Sequence, residues 1–257
     1  MKRFVISNGA VAKDGLVSLD ADDEGLLLGC SVFETLRTYN RELYGVEPHM
    51  ERLVASCDSM NISMPDEGLL VSEMVAAAAE IDGESVVRVT LTAGGLRVVR
   101  AATLPSFPAQ FRCVTRHFVP PPWLDGTVKH SSRGISREAV RHAGVHEVIW
   151  TDANGNMLEG TRCNIVAVQD GTLITPPLDG TFLAGVTRNA MIECAVDIDV
   201  PVQHRPIHQA ERFDEFYVCS TLKELTPIVE LNGSPAAGSG PVGERVMTQF
   251  LRDIHGQ

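Results

Sequence analysis

Lysine is scarce in this chain of 257 residues: Lys2, Lys13, Lys129 and Lys223 are all there are. With 22 Lys and Arg against 33 Asp and Glu, the formal net charge is −11, and no basic block stands out. Nucleic acid and anionic membrane surfaces are therefore not expected partners. Cysteines at 30, 57, 113, 163, 194 and 219 form no C-x-x-C pair, which fits the reducing cytoplasm. Long apolar runs are also missing. The most apolar stretch, residues 69–79, is interrupted by Ser72 and Glu73 and is too short to span a bilayer. Residues 1–7 carry two cations with no apolar run behind them, unlike a signal peptide. No Walker pattern occurs. Residues 238–243 spell G-x-G-x-x-G without the βαβ unit that gives the motif meaning. His204 and His208 flank Pro206, and His142 and His146 straddle Gly144, so neither pair offers helical ligand spacing and no metal site is expected.

What is present alternates between short amphipathic helices and hairpins. Asn8-Gly9 marks a hairpin turn. Residues 20–28 read as a helix with Asp20 as its cap, and residues 32–39 as a strand with Phe33, Thr35 and Arg37 on one face. Helices are expected over 47–60 and 66–81, then strands over 86–92, 96–101 and 111–119. Pro120, Pro121 and Pro122 make a stiff connection and the best boundary in the chain. Beyond it come a helix over 136–143, hairpins turning at residues 152–155 and at Asp170-Gly171, a helix over 187–196, strands over 214–219 and 228–231, and a closing helix over 242–254. The expected fold class is α+β in two lobes: 1–119, a connecting segment 120–123, and a cofactor-binding lobe 124–257.

Lys129 is the lone lysine of mid-chain. It is followed after 30 residues by Glu159 and then by two small, hydroxyl-rich turns around Thr187 and Thr221. An amine to bond an aldehyde, a carboxylate to hold a pyridinium proton, and N–H and hydroxyl groups for a phosphate are what pyridoxal 5'-phosphate requires. Val186 and Thr187 open a helix, where N–H groups and the helix dipole favour an anion.

From Glu159 onward the chain resembles the class IV aminotransferases, fold type IV of the pyridoxal phosphate enzymes. The resemblance rests on Glu159, Thr161, Asn164 and Ile165, on Leu173 and Thr175, and on Leu183, Gly185, Val186 and Arg188. It departs at Val166, where the family prefers an aromatic. Phe33 to Arg37, the His49-x-x-Arg52-Leu53 helix and Ser220 to Pro227 extend it over nearly the whole chain. The resemblance implies a D-amino acid aminotransferase-like fold and a homodimer. The cofactor would lie between the lobes on Lys129, Arg52, Glu159, Val186, Thr187 and Thr221, with Lys129 the catalytic base.

The implied reaction moves an amino group between an amino acid or amine and a 2-oxo acid. Arg133, beside the Lys129-His130 pair, also resembles some 4-amino-4-deoxychorismate lyases, which release pyruvate and 4-aminobenzoate. That is the alternative reading, and a non-catalytic carrier of the cofactor is a third. A substrate carboxylate needs cations or N–H groups, so Arg37, Arg97 and the backbone at Leu222 are the candidates, with Arg88 and Arg100 set aside. Lys223 reads equally as a solvated lysine or as a residue at the pocket mouth.

Overall fold

The computed structural model describes residues 2–120 and 125–256. The chain divides into two compact units, Met1–Ser106 with Val128–Arg133, and Phe107–Thr127 with Gly134–Gln257. Pro121, Pro122 and Trp123, most of the expected connecting segment, lie outside the described residues.

The first unit runs β1 (Arg3–Ser7), β2 (Ala10–Val11), α1 (Glu24–Leu27), β3 (Ser31–Tyr39), β4 (Glu42–Leu43), α2 (Val46–Ser59), α3 (Glu67–Ala79), β5 (Ser85–Thr92) and β6 (Arg97–Thr103). Its strands form one antiparallel sheet in the order β2-β1-β6-β5-β3-β4. Alternation along β5 sends Val87, Val89 and Leu91 into a core shared with Leu53, Leu70 and Met74 of the two long helices. Asp66 caps α3 by accepting from the Leu69 N–H at 2.8 Å. The cap of α1 is Asp23, not Asp20. The helix starts only at Glu24, and Asp20 instead accepts from the Asp22 N–H at 2.9 Å, while Asp23 also accepts from Thr92 Oγ1 at 2.6 Å and the Gly94 N–H at 3.1 Å.

Residues 128–133 join this unit through β3. His130 bridges Val32, the Phe33 N–H donates to the Lys129 carbonyl at 2.9 Å, and the Ser131 N–H to the Ser31 carbonyl at 2.8 Å. Backbone pairing therefore places Lys129 with the first unit, although it follows the proline run in sequence.

The second unit holds β7 (Phe111–His117), α4 (Gly134–Ala143), β8 (Glu147–Thr151), β9 (Asn156–Gly160), β10 (Asn164–Gln169), β11 (Thr172–Thr175), α5 (Val186–Asp197), β12 (Val202–His204), β13 (Ile207–His208), β14 (Glu215–Ser220), β15 (Glu224–Leu231), β16 (Ser234–Pro235) and α6 (Pro241–His255). Its sheet follows the order β12-β11-β10-β14-β15-β7-β8-β9-β13, with β16 paired to β15. The strand expected from residue 228 begins at Glu224, because pairing with β14 carries Pro227 despite its missing N–H. β12, β13 and β16 are two or three residues long and carry no periodicity to read. Among the described residues no helix is long and apolar enough to cross a membrane.

Candidate active site

On the first sheet, one face is the core and the other carries chemistry. Register places Phe33 beside Thr90, Thr35 beside Arg88, and Arg88 beside Arg100. The Arg88 guanidinium lies 3.6 Å from the Phe33 ring centroid, and the Lys129 Nζ 5.0 Å from the same ring. Arg88 also donates to Thr90 Oγ1 at 3.2 Å and Ser131 Oγ at 3.4 Å. Burial, then the charges of Arg133 and Arg100, pull Arg88 down to about 10, against the pull of Glu34. Arg133 donates to the His130 carbonyl at 3.2 Å. The Lys129 N–H donates to Ser56 Oγ on α2 at 3.1 Å, so with the Phe33 bond above both backbone polar groups of Lys129 are fixed.

Glu34 is the exception on the core face. It is buried because α2 brings it two donors at helical spacing. His49 Nδ1 is 2.7 Å from Oε2, and Arg52 donates through Nε to Oε1 at 2.7 Å and through Nη2 to Oε2 at 2.9 Å. Burial would raise the Glu34 carboxyl, but Arg52, His49 and Lys129 more than offset it and hold it at about 2. Burial, with the charges of Arg52 and Lys129, lowers His49 against the opposing pull of Glu34.

Arg37 lies 4.1 Å over the Tyr39 ring, and its Nε is 3.5 Å from the Thr38 carbonyl. Arg97 does not join the Phe33 face. It pairs with Leu91, so it points to the helix side, where Nε and Nη2 bond Glu73 of α3 at 2.9 and 2.8 Å. The Nε and Nη2 of Arg97 are thus engaged by a carboxylate, as those of Arg52 are by Glu34.

In the second unit the signature residues build a frame for the start of α5. Arg188 is fully buried and donates to Thr175 Oγ1 at 2.9 Å and to the Pro176 carbonyl at 2.8 Å. Thr175 in turn donates to the Ile165 carbonyl, and Asn164 Nδ2 to the Leu183 carbonyl at 2.8 Å. A Cβ at Gly185 would run into Asn164 Oδ1, so only glycine fits at this helix cap. The cap has no side-chain bond, Thr187 is buried and Val186 half-buried in the first turn. Glu159 stands half-buried on β9, two residues before Thr161. Thr221 and Leu222 sit half-buried in the turn joining β14 to β15.

Lys223 closes that turn, and its placement overturns the solvated reading. Its side chain is 6% exposed and its Nζ donates to Oε2 of the fully buried Glu147 at 2.9 Å. Burial alone would push the Lys223 ammonium down, but the Cys163 sulfur and the Glu147 carboxylate push it up. Burial likewise opposes ionisation of Glu147, and Lys223 and Thr161 lower it.

The sequence model described as amino-transferase class IV matches residues 31–231. The chain belongs to the class IV aminotransferases. A Thermotoga maritima protein carrying the name of a branched-chain-amino-acid aminotransferase is 30% identical over 250 residues, covering 91% of this chain and 90% of that one. The D-alanine aminotransferase of Staphylococcus haemolyticus is 24% identical over 276 residues, covering 93% and 92%. In fold, the pyridoxal phosphate-bound form of a Mycobacterium tuberculosis aminotransferase superposes with a TM-score of 0.90 at 24% identity, covering 99% of both chains. The class IV chain therefore has the fold type IV transaminase architecture, which that neighbour shows with pyridoxal 5'-phosphate bound.

Its donor set suits that cofactor. There is an amine on a fixed backbone at Lys129, a carboxylate at Glu159, a guanidinium at Arg52, and a helix start at Gly185 where the space a Cβ would fill is closed by Asn164. Sequence reasoning missed the Glu34 partnership and the Glu147–Lys223 pair, and set Arg88 aside. Arg88 was within reach, since Val87, Val89 and Leu91 fix the inward face of β5 and leave Arg88 and Thr90 on the face of Phe33. Lys223 had no such signal: its partner is 76 residues away in sequence.

Proposed function

We propose that Lys129 is the catalytic residue, and that Arg52, Glu159, Val186, Thr187 and Thr221 hold the cofactor with it. The observation that carries this reading is Lys129 itself, with both backbone polar groups fixed and its amine against the Phe33 ring, which the Arg88 guanidinium also meets. The cofactor, when bound, takes up carbanion charge from the substrate Cα. The chain supplies the rest. Lys129 Nζ takes the substrate α-proton and returns it. Glu159 holds a proton on the ring nitrogen. Arg52, oriented by its two bonds to Glu34, and the N–H groups of Val186 and Thr187 meet the phosphate, with the Thr221 hydroxyl beside them.

The substrates are an amino acid and a 2-oxo acid. Arg88, Arg133 and Arg100 concentrate positive charge on the Phe33 face, which favours a carboxylate there, with Arg37 and the Leu222 N–H as further donors. Another form of the M. tuberculosis neighbour is described with α-ketoglutarate and the amine form of the cofactor, which makes that acid the first acceptor to try.

The chain is proposed to work as a homodimer in the cytoplasm. Six free cysteines, five of them buried, suit a reducing compartment. The deciding experiment adds single amino donors, L-valine, L-leucine and D-alanine among them, to the purified yellow enzyme. A transaminase shifts the visible band to shorter wavelength, and α-ketoglutarate restores it. A spectrum that returns unaided after each turnover, with release of pyruvate from aminodeoxychorismate, would instead identify the lyase.

A further inference from the structure

A lysine in a hairpin turn ordinarily points its ammonium into water. Lys223 does the opposite. It turns under its own hairpin, past the Phe111 ring at 5.1 Å, to reach Glu147 at the start of β8. Glu147 is a junction. Its Oε1 accepts the Val148 and Thr161 N–H groups, each at 3.1 Å, and the Thr161 hydroxyl; its Oε2 accepts Lys223 Nζ at 2.9 Å and the Cys163 thiol at 3.5 Å. One buried carboxylate thus ties together β8, the loop after Glu159 and the turn of Thr221. The loop is drawn in tightly, since a Cβ at Gly160 would come within 2.5 Å of Cys163 Sγ and 3.1 Å of Glu147 Cγ.

Burying two charges is costly, and well-packed apolar residues often serve stability as well or better. What an apolar pair does not supply is direction. Five donors converging on one carboxylate fix where each segment sits. Two of those segments end in proposed cofactor contacts, Glu159 on one side and Thr221 on the other. We propose that Lys223 and Glu147 are positioning residues, a strut that holds the Thr221 turn and the Glu159 loop at the spacing the cofactor's phosphate and ring require. This rests on the cofactor assignment of Thr221 given above.

The test uses the apoenzyme of the full chain, titrated with pyridoxal phosphate and with pyridoxal, which lacks the phosphate, by visible absorbance, with the thermal midpoint recorded beside it. The variants are Lys223→Met, the neutral double variant Lys223→Met/Glu147→Gln, and Thr221→Val. The double variant removes the unpaired buried charge that could unfold Lys223→Met alone. The expected result is a midpoint near wild type for the double variant, with the preference for pyridoxal phosphate over pyridoxal reduced about tenfold, the scale of one lost supporting bond. A double variant that keeps both midpoint and preference overturns the strut and leaves a simple packing pair. If Thr221→Val loses the preference and the Lys223 variants keep it, only the strut fails. If Thr221→Val itself keeps the preference, the phosphate assignment fails and the strut with it.

Discussion

Lys129→Ala removes the only amine proposed to move the α-proton, so turnover should fall by at least about 10³-fold. Loosely held cofactor can persist, because the phosphate contacts are untouched. Borohydride reduction of the wild type, followed by peptide mapping, should place the label on the peptide of Lys129; a label at Lys223 would end the assignment. Arg88→Ala deletes a half-buried guanidinium held by Phe33, Thr90 and Ser131. If it meets the substrate carboxylate, KM for 2-oxo acids should rise roughly 10- to 100-fold, the value of a charged hydrogen bond of ~1.5–3 kcal/mol. Amines without a carboxylate should be nearly unaffected, and an equal rise for both would point to a structural role. Glu34 makes a pH prediction. Its carboxyl is held at about 2 against an ordinary 4.5, so the unfolded chain binds the extra proton between those values. The stabilisation is present above about 4.5 and drains away as pH falls toward about 2. His49, lowered from 6.5, adds in the same sense, because below that pH the unfolded chain takes up the proton more readily than the folded one. The thermal midpoint should therefore fall in acid, and the gap between wild type and Glu34→Gln, wide at pH 7, should close below about pH 4.5. A gap that stays constant from pH 7 to pH 3 would show that the Glu34 pairing is not what titrates.

At the scale of the element, the start of α5 shows how the class IV signature works. Thr175, Asn164 and Arg188 are spent on one another and on backbone carbonyls. Their common effect is to aim the first turn, Val186 and Thr187, from a cap that admits no Cβ. Gly185→Ala should therefore cost roughly 1–3 kcal/mol, the usual range for overpacking a tight site, and should weaken cofactor binding along with the thermal midpoint. An alanine variant with both values unchanged would mean that Asn164 moves aside freely and the frame is loose. The periodic elements were legible from their residues alone. β5, α2 and α6 carry a regular apolar alternation or stripe, and with β3, α3 and α5 they lie within a few residues of where the sequence puts them. The cap of α1 was not legible, because Asp20 and Asp23 are equally good caps on paper, and what favours Asp23 is Thr92, 69 residues away in sequence. The same holds for Arg97. Strand register turns it toward Glu73. Local pattern finds elements, whereas the long-range partner of each charged side chain follows from pairing that only the folded chain displays.

For the whole molecule, the most informative surface is the segment after β2. Leu26, Leu27 and Leu28 are 58%, 60% and 67% exposed, and Leu16 and Leu19 are also exposed. Scattered surface leucines need no explanation, but three in succession among neighbours of the same kind form a patch that a lone protein tends to avoid. The segment is also held rigidly. Asp23, itself buried, caps α1 through the Gly25 N–H at 2.7 Å and ties it to Thr92 and Gly94. A patch that is both apolar and fixed in place loses little entropy when covered, which favours association. This makes a second copy of the chain the expected occupant. Sedimentation at micromolar concentration should give about twice the chain mass of 27.9 kDa. Leu27→Glu places a charge that a closed apolar interface cannot solvate, so it should shift the protein toward the single-chain mass while leaving the secondary structure intact. Cofactor affinity measured on that monomer then separates two arrangements: an affinity close to wild type would mean each chain holds its cofactor unaided, and a loss on the order of tenfold or more would mean the partner contributes to the site. A wild type that sediments as a single chain at these concentrations would refute the dimer and leave the leucines to another partner.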